Sequence, residues 1–377
     1  MRGDGAMRVL HIQKTDGLGG CERQLLAVLP ELERRGVDVQ VCVLGAGRFE
    51  RFTEPLNSAG IPTDVIRAGS HLNPWLVPAL VRKLRRWRPD LVHTHLIHGD
   101  VYGQSAARLA GVPGVSTVHS VHDFYLRQPY RSATRLAGSL SRRTIAISRY
   151  VGSFLGREGI APMDRIRVIH YGINADEWTP ESAETKAARS ALGFQAEDVV
   201  VGMASRLIEH KGHELAIDAL ARALPRCPRM ILAVAGDGPR EGDIRAYARS
   251  KLPEGSILFL GFLSDMRQFM AACDVVVFPT SPVLGEGFGL VALEAMAAGR
   301  PVVVTRVGAL PEVVEQARTG FVVEPDDVEE LSHRLLSLGT SPDLRARLGA
   351  AARERAVGDF NLGGVVDQLM TVYEEAT

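Results

Sequence analysis

No apolar stretch in this sequence approaches the length of a membrane span. A spanning helix needs about 20 consecutive apolar residues, whereas the apolar runs here, such as 199–204, have the length of one strand. The four cysteines are scattered and form no CxxC pair. Residues 1–6 are polar, no signal-peptide type segment follows them, and we expect them to be a disordered extension. These absences predict a cytoplasmic protein with reduced thiols rather than a secreted disulfide scaffold.

Lysine is scarce, and the charges are unevenly distributed. The formal net charge is zero, but residues 1–175 carry 24 Lys and Arg against 14 Asp and Glu, a balance of +10. The split predicts two domains with different partners, and the basic first half suits an anionic membrane surface. Only 5 of the 44 basic residues are Lys, which favours the simpler interpretation of an Arg-rich solvated surface. Nucleic acid is not among the expected partners.

Short β-branched runs alternate with helical patterns along the chain. This alternation predicts parallel sheets covered by helices, and 377 residues at about 150 per domain predict two such domains. We expect an α/β fold of two Rossmann-like, doubly wound domains that face a central cleft, with ligands beyond the carboxyl ends of the strands. The predicted domains are residues 1–174 and 175–356, followed by a C-terminal segment, 357–377.

The predicted strands are 8–13, 37–44, 63–66, 90–94, 115–119, 144–147 and 166–171 in the first series and 199–203, 230–236, 257–260, 275–278, 301–305 and 321–323 in the second. The stretch 176–184 between the two series is predicted to be irregular.

One loop of the second half carries two cations. Arg206 and Lys211 follow the strand 199–203, and two cations on a strand-to-helix loop are suited to a diphosphate. The alternative is a surface Arg and a Lys that caps a helix. The segment 236–239, Gly-Asp-Gly-Pro, ends another strand and is interpreted first as a tight turn and second as part of a nucleotide pocket.

A second loop combines three glycines with two carboxylates. Gly285, Gly287 and Gly289 precede a helix predicted over 290–298, where free amides and the helix dipole favour an anion. Glu286 lies on the loop and Glu294 one turn inside the helix. Both carboxylates can then face one ligand, with Glu286 at a sugar and Glu294 at a ribose. A pair with this spacing also arises by chance.

The first half has its own glycine loop after the opening strand. Gly17, Gly19 and Gly20 let backbone amides approach a sugar or a phosphate. The pattern is not GxGxxG, because Glu22 occupies the third glycine position, and a dinucleotide site is therefore disfavoured. Glu22 is interpreted equally as a ligand and as an acidic charge at a helix N-terminus.

Several histidines of the first half invite a functional interpretation. His119 ends a predicted strand and can hydrogen-bond a substrate hydroxyl, although a lone histidine is as often structural. His93 and His95 are expected to lie on opposite faces of their strand, which argues against a shared metal ion. The pair Asp326–Asp327 is explained better by helix N-capping than by a metal. The sequence therefore predicts no metal site.

The second half resembles the nucleotide-sugar domain of retaining glycosyltransferases with the GT-B fold, family 4 in particular. The matching segments follow in order over more than a hundred residues. They are 205–207, 211–212, 236–239, 259–261, 274–279, 286–294, 299–302, 307–314 and 319–320. The first half resembles the acceptor domain of the family at 19–22, 117–119 and 168–172. Two departures, Ser205 and His170–Tyr171, stand where Gly and Asn are commoner.

The resemblance implies transfer of a sugar from a nucleotide diphosphate donor to a hydroxyl acceptor, with retention and without a metal or other cofactor. It also implies that the C-terminal segment 357–377 packs back on the first domain. It implies that Arg206 and Lys211 neutralise the diphosphate, that Glu286 accepts a sugar hydroxyl and that Glu294 accepts the ribose hydroxyls. It also implies four further roles. These are donor support by amides of Phe288, Gly289 and Leu290, phosphate contacts at Gly19 and Gly20, an acceptor contact at Glu22, and charge stabilisation by His119.

The resemblance leaves the chemistry and the substrates open. In the family a donor phosphate oxygen deprotonates the acceptor on the same face, or a transient nucleophile acts, and this sequence does not distinguish the two. A bacterial polysaccharide, lipopolysaccharide or lipid-linked glycan is the expected acceptor, and the donor base is not readable. The alternatives are a nucleotide-sugar epimerase of the same fold and a non-catalytic nucleotide-sugar-binding subunit. We also expect peripheral contact with the inner face of the plasma membrane through the basic helix 78–87.

Overall fold

The computed structural model describes residues 5–15, 17–45, 47, 49–67, 73, 75–178, 182–283 and 285–377. Residues 1–4 of the expected disordered extension lie outside the described residues. The chain forms two compact units. Unit 1 comprises Met1–Gly172 with Leu362–Thr377, and unit 2 comprises Ile173–Asn361.

Each unit contains one parallel sheet. The strands of unit 1 are β1 (Arg8–Lys14), β2 (Asp38–Gly45), β3 (Thr63–Arg67), β4 (Leu91–His95), β5 (Gly114–Val118), β6 (Arg143–Ala146) and β7 (Ile166–Val168), in the order β3-β2-β1-β4-β5-β6-β7. The strands of unit 2 are β8 (Val199–Ala204), β9 (Met230–Ala235), β10 (Ile257–Gly261), β11 (Val275–Phe278), β12 (Val302–Thr305) and β13 (Gly320–Val323), in the order β10-β9-β8-β11-β12-β13.

Helices connect the strands in both units. Those of unit 1 that precede its last segment are α1 (Gly20–Arg34), α2 (Glu50–Ser58), α3 (Leu76–Trp87), α4 (Leu96–Gly99), α5 (Ser105–Ala110), α6 (Tyr130–Leu140) and α7 (Arg149–Arg157). Those of unit 2 are α8 (Ser182–Ala191), α9 (His213–Ala223), α10 (Glu241–Lys251), α11 (Met266–Ala272), α12 (Leu290–Ala297), α13 (Leu310–Val313), α14 (Val328–Thr340) and α15 (Pro342–Asp359). The final helix, α16 (Leu362–Ala376), returns to unit 1. A π-helical turn, Asp100–Gln104, joins α4 to α5.

Side chains alternate between the two faces of the unit 1 sheet, and both faces are buried. Val9 of β1 packs with Leu25 of α1 and Val366 of α16 in one hydrophobic cluster. Its neighbour Leu10 packs with Leu80 of α3 in another cluster. Because successive residues of a strand point to opposite faces, odd-numbered residues of β1 face α1 and α16. A parallel sheet covered on both faces accounts for the near-continuous apolar strands.

Most predicted elements are present, and two expectations are corrected. Every predicted strand is found with its ends within three residues of the prediction. The stretch 176–184 was expected to be irregular, but helix α8 begins at Ser182 and continues to Ala191. Strand β5 ends at Val118, so His119 follows the strand instead of ending it. Helix α15 continues to Asp359, past the predicted start of the C-terminal segment at residue 357.

Among the described residues, no helix is both long enough and apolar enough to cross a bilayer.

Candidate active site

The strand order of unit 2 reverses beside its first strand. β8 lies between β9 and β11: the chain runs outward from β8 through β9 to β10 and then crosses back to β11 on the other side of β8. In doubly wound sheets a crevice opens beyond the strand ends at this point, and ligands bind there. The loop after β8 (205–212) and the loop after β11 (279–289) both begin at this reversal. The cations and carboxylates predicted to bind the donor lie on these two loops and on the helix that follows the second. They are Arg206, Lys211, Glu286 and Glu294.

The two loops are packed main chain against main chain. The N–H of Ser281 donates to the carbonyl of His210 at 2.9 Å. Gly212 has a φ of 76°, and a Cβ atom there would overlap the carbonyl oxygen of Pro279. A side chain at residue 212 is thus excluded both by the left-handed backbone and by its neighbour. Gly212 directly follows Lys211, so this close packing fixes the main chain at the base of the Lys211 side chain.

Two further turns support these loops. The N–H of Ala309, after β12, donates to the carbonyl of Glu286 at 2.9 Å. The N–H of Leu207 donates to the carbonyl of Asp237 at 2.8 Å. The segment 236–239 therefore packs against the loop after β8, and the turn in this region begins at Pro239. A Cβ atom on Gly238 would overlap the backbone of Leu207.

Lys211 and Glu286 form an ion pair. Nζ of Lys211 lies 2.8 Å from Oε2 of Glu286, with side-chain exposures of 17% and 18%. The ammonium also lies 5.1 Å from the centre of the Phe278 ring, within reach of a cation–π interaction. The residues are 75 positions apart in the chain, so the fold brings together a cation and a carboxylate that the sequence predicts separately.

Arg206 has no such partner. Its side chain is exposed, and within the part of the chain that the structure describes no acidic group pairs with its guanidinium. Arg206 and the Lys211–Glu286 pair lie on the same two loops. Taken together, the three side chains carry a formal charge of +1, which suits an anionic ligand that also offers hydroxyl donors.

Helix α12 begins at the end of the second loop. Gly289 is its N-cap residue with a φ of 94°, so the first amides of the helix, starting at Leu290, have no intrahelical acceptor. Phe288 is 1% exposed and contacts Phe360 edge-on, with 5.8 Å between ring centres. This packing anchors the end of the loop after β11. Glu294 lies one turn into the helix and is 4% exposed. The geometry expected for an anion at a helix N-terminus is present.

A polar pair near Arg206 is absent from the sequence predictions. The hydroxyl of Ser205 lies 3.2 Å from Nε2 of His213, the first residue of α9. Burial, followed by the charges of Lys211 and Arg240, lowers the pKa of His213 to about 4. The imidazole is therefore neutral near pH 7. Ser205, noted as a departure from the family pattern, thus has a side-chain partner in the structure.

In unit 1 the amide of Gly19 in the predicted glycine loop is bonded to the side chain of Glu22. Gly19 is the N-cap of α1, and its N–H donates to Oε2 of Glu22 at 2.9 Å. Oε1 of Glu22 accepts from Nε2 of Gln13 at 2.5 Å. Glu22 therefore acts as an acidic cap at a helix N-terminus, one of its two predicted interpretations. The acceptor role of Glu22 stays a prediction. Gly20 has open space where a Cβ would lie.

The expectation that His93 and His95 lie on opposite faces of their strand is wrong. Their ring centres are 4.2 Å apart, because residues i and i+2 of a strand share a face. β4 pairs with β1 so that His11 lies opposite His93, and Nδ1 of His11 lies 2.9 Å from Nε2 of His95. The three imidazoles are buried on the α1 and α16 face of the sheet. His11 is a participant that the sequence analysis missed.

His119 joins this cluster. Its Nε2 lies 3.0 Å from Nδ1 of His95, and its Nδ1 lies 2.6 Å from the hydroxyl of Tyr171. The sequence predicts that His119 hydrogen-bonds a substrate hydroxyl. In the structure, both of its ring nitrogens have protein partners. Burial lowers the pKa of His119 to about 3, so the imidazole is neutral.

One group of side chains has the spacing to hold a metal ion among the described residues. The ligand atoms of His11, His93 and His95 lie within 4.8 Å of one another. Both ring nitrogens of each of these histidines are hydrogen-bonded to side chains of the same unit. The three imidazoles therefore have hydrogen-bond partners without a metal ion. Asp327 is the N-cap of α14 and accepts from the N–H of Glu330 at 2.9 Å, which confirms the capping interpretation for this acidic pair.

Two family models match the two halves of the chain. The model for glycosyltransferase family 4 matches residues 18–177, and the model for glycosyl transferases group 1 matches residues 184–355. The matched segments together contain every candidate site residue of both units.

Relatives and solved structures agree with these models. The chain is 24% identical to a UDP-Gal:α-D-GlcNAc-diphosphoundecaprenol α-1,3-galactosyltransferase of Escherichia coli, over 97% of this chain and 96% of the relative. It is 31% identical to a D-inositol 3-phosphate glycosyltransferase of Saccharomonospora viridis, over 96% and 90% of the two chains. HepE of Anabaena in complex with UDP-glucose superposes with a TM-score of 0.85 and 26% identity, covering 98% of this chain and 99% of HepE.

Two doubly wound parallel-sheet units, with a cation–carboxylate pair at the strand reversal of the second, define a GT-B fold. The chain belongs to the group 1, family 4 glycosyltransferases. It is therefore an enzyme of the hexosyltransferase type that uses a nucleotide sugar.

Proposed function

We propose that this enzyme transfers a hexosyl group from a UDP-sugar to a hydroxyl of a lipid-linked or glycan acceptor, with retention of anomeric configuration and without a metal ion. The observation that carries the proposal is the Lys211–Glu286 pair, 2.8 Å apart, with the exposed Arg206 on the same loop as Lys211. One relative is named for UDP-Gal and a diphosphoundecaprenol-linked acceptor, another is named for D-inositol 3-phosphate, and HepE is in complex with UDP and with UDP-glucose. These similarities support the choice of donor base and acceptor class.

In the proposed mechanism, unit 2 holds the donor. Arg206 and Lys211 neutralise the charge that develops on the diphosphate as the glycosidic bond breaks, a role that otherwise falls to a metal ion. The amides of Phe288, Gly289 and Leu290 at the start of α12 support the same phosphates. Glu294 accepts the ribose hydroxyls. Glu286, which is oriented by its contact with Lys211, accepts a hydroxyl of the transferred sugar.

Unit 1 contributes the acceptor side in this proposal. Gly19 and Gly20 approach the phosphate region and Glu22 the acceptor. His119 steadies the reacting sugar as positive charge builds at the anomeric carbon. The N–H of Gly19 donates to the Glu22 carboxylate, so a ligand that accepts from this amide takes the place of Glu22.

The primary experiment is a thermal-shift screen with UDP, GDP and ADP sugars, followed by acceptor trials and product analysis. We expect UDP sugars to give the largest shift, and the anomeric proton coupling of the product to match that of the donor. EDTA should leave turnover unchanged. An altered free nucleotide sugar without a glycosidic product would instead identify an epimerase, and inversion at the anomeric carbon would refute retention.

The Lys211→Ala and Glu286→Ala variants test the assigned roles. Each is expected to lower kcat about 100- to 1000-fold, since removing one preorganised polar group from an active site typically costs that much. Arg222→Ala, which breaks an exposed pair with Glu329 in the same unit, is the matched control and should retain full activity. If both site variants folded and turned over at nearly the wild-type rate, the assignments would be wrong.

We further propose that unit 1 contacts an anionic membrane at the cytoplasmic face. Arg82, Arg85 and Arg86 of α3 are exposed, and Trp75 at its N-terminus is 78% exposed. Cations with an interfacial tryptophan fit a surface-bound helix. Flotation with anionic and with neutral liposomes tests this. The anionic vesicles alone should retain the protein at low salt, and the triple Arg→Ala variant should lose binding; equal recovery with both vesicle types would exclude the contact.

A further inference from the structure

Seven side chains of unit 1 are joined end to end by hydrogen bonds, and we call this series the histidine chain. In order, its members are Thr117, His93, Tyr373, His11, His95, His119 and Tyr171. The distances between successive polar atoms along this order are 2.7, 2.7, 3.4, 2.9, 3.0 and 2.6 Å. Members come from β1, β4, β5, the loops after β5 and β7, and the final helix α16.

The histidine chain uses both ring nitrogens of all four imidazoles. A neutral imidazole has one donor and one acceptor nitrogen, whereas an imidazolium has two donors and no acceptor. Burial lowers the pKa of each of these histidines from its usual value of 6.5. Near pH 7 each member therefore donates in one direction along the chain and accepts from the other.

This constraint couples the four tautomers. If His11 carries its proton on Nδ1, it donates to Nε2 of His95, which must then carry its own proton on Nδ1 and donate to His119. Reversing the direction places every proton on Nε2. Opposite tautomers at His11 and His95 would set two donors or two acceptors against each other at 2.9 Å, and a buried unpaired polar group is costly.

Tyr373 extends the coupling from His11 to His93. Its hydroxyl lies 2.7 Å from Nδ1 of His93 and 3.4 Å from Nε2 of His11, and it has a single proton to donate. If both nitrogens were acceptors, one would be left without a proton. If both were donors, the phenol proton would have no acceptor in the chain. The hydrogen bonds therefore run in one direction through the Tyr373 hydroxyl only when His93 and His11 have the same tautomer.

We propose that the histidine chain holds its four imidazoles neutral and in one common tautomer, and that His11, His93, His95 and Tyr373 thereby act as positioning residues for His119. The positioning role rests on the glycosyl transfer proposed above. A neutral, fixed imidazole adds no repulsion where positive charge builds on the sugar, whereas an imidazolium would oppose that charge. The His119 ring is also held in place from two sides, by His95 and by Tyr171.

The direct test is spectroscopic and uses the wild-type enzyme. Long-range 1H–15N correlation spectra of protein labelled on the histidine rings distinguish protonated from unprotonated nitrogens. Single His→Gln variants assign the signals, and the exposed His333 of unit 2, which lies outside the histidine chain, provides a reference signal. We expect all four chain histidines to be neutral at pH 7 with the proton on the same nitrogen. Two different tautomers among them, or an imidazolium in the chain, would overturn the proposal.

The positioning role is tested by Tyr373→Phe, which removes the hydroxyl that joins His93 to His11 and keeps the ring. We expect kcat to fall on the order of tenfold, the effect of losing one buried hydrogen bond, with the donor KM changed by less than about twofold. Tyr247→Phe removes a phenol hydroxyl bonded to Asp218 in unit 2 and is the matched control. An unchanged kcat in folded Tyr373→Phe would refute the positioning role.

The outcomes separate this inference from the proposed function. A common neutral tautomer in an enzyme without glycosyl transfer would uphold the chain and refute its role. Glycosyl transfer with mixed tautomers would refute the common tautomer and leave the proposed function standing. Elemental analysis of the purified enzyme adds one further check. A stoichiometric metal that is lost in His95→Gln would occupy ring nitrogens assigned to hydrogen bonds and would overturn the chain.

Discussion

Burial lowers the pKa of His11 and of His119 to about 3 and the pKa values of His93 and His95 well below 6.5. Below pH 6.5 the unfolded chain therefore binds protons that folded unit 1 does not bind, and acid destabilises the folded unit. Asp100 acts in the opposite sense. Burial raises its pKa to about 7, so the folded unit keeps a proton that the unfolded chain releases above pH 4.

We expect the free energy of unfolding of unit 1 to decrease as the pH falls from 6.5 to 4.5. Four histidines oppose one carboxyl, and each net proton contributes about 1.4 kcal/mol per pH unit. Cys21 of α1, which packs on the same face of the sheet, stays protonated over this range, because burial raises the pKa of its thiol. Urea unfolding at several pH values, monitored by a probe in unit 1, measures the slope.

His11→Gln is the control for this pH dependence, because glutamine keeps a donor and an acceptor but does not titrate. Its slope should be smaller than that of the wild type by about one proton. Stability that is constant, or that rises on acidification to pH 4.5, would show that these histidines are not held neutral.

Individual side chains differ in how well their place was predictable. Arg206, Lys211, Glu286 and Glu294 follow strand ends in a recognisable pattern, and strand ends of one sheet converge. The pairing of Lys211 with Glu286 was not predictable, because it depends on how two loops 75 residues apart pack. Tyr373 has no local signal at all, since its partner His93 lies 280 positions away.

Among the structural elements, the loops at the strand reversal of unit 2 are the most constrained. Gly212 adopts a left-handed conformation and abuts the Pro279 carbonyl, so the loop that carries Lys211 has one permitted main-chain path. If Lys211 contacts the donor phosphates as proposed, a main chain that is already fixed lowers the ordering cost of binding.

Gly212→Ala is expected to lower the stability of unit 2 by at least about 2 kcal/mol, since left-handed strain and a backbone overlap act together. It should also weaken donor binding, because Lys211 moves with its main chain. Gly242→Ala in α10, where a Cβ meets no atom within 4 Å, is the matched control and should be neutral or stabilising. Urea midpoints and UDP titrations measure both effects, and equal behaviour of the two variants would contradict the argument.

Strands were easier to predict than helix α8. Short runs rich in apolar and β-branched residues identify the strands of both sheets, because buried parallel strands are apolar on both faces. Helix α8 (Ser182–Ala191) has a polar and alanine-rich sequence, with little apolar periodicity to indicate it. The face assignment of His93 and His95 failed for another reason, an error in applying the two-residue repeat of a strand.

Across the whole molecule, most of the residues proposed to bind the sugar donor belong to unit 2, and the histidine chain belongs to unit 1. Charge asymmetry and the two series of strands predict two domains, but the inclusion of α16 in unit 1 depends on its apolar face. Val366 and Tyr373 of α16 are fully buried in unit 1. An amphipathic helix at the end of a sequence does not show by its pattern which sheet it covers.

Hydrogen exchange with and without UDP tests this division of labour. We expect the strongest added protection in the segments 205–212 and 285–294 of unit 2, because UDP binds only the folded loops and raises their opening free energy. At a hundredfold excess over Kd the gain is about 2.7 kcal/mol. Lys211→Ala should reduce this protection. Protection confined to the segment 17–22 of unit 1 would place the nucleotide elsewhere.

The return of α16 to unit 1 has a consequence for biosynthesis. A ribosome completes residues 1–172 early, yet the hydrophobic cluster of this unit still lacks the side chains of 362–376, and His93 and His11 lack the Tyr373 hydroxyl. Unit 2 is contiguous in the chain and has all its strands and helices before α16 is translated. During synthesis unit 2 is therefore complete before unit 1, although most of unit 1 is translated earlier. Unit 1 is complete only after α16 leaves the ribosome.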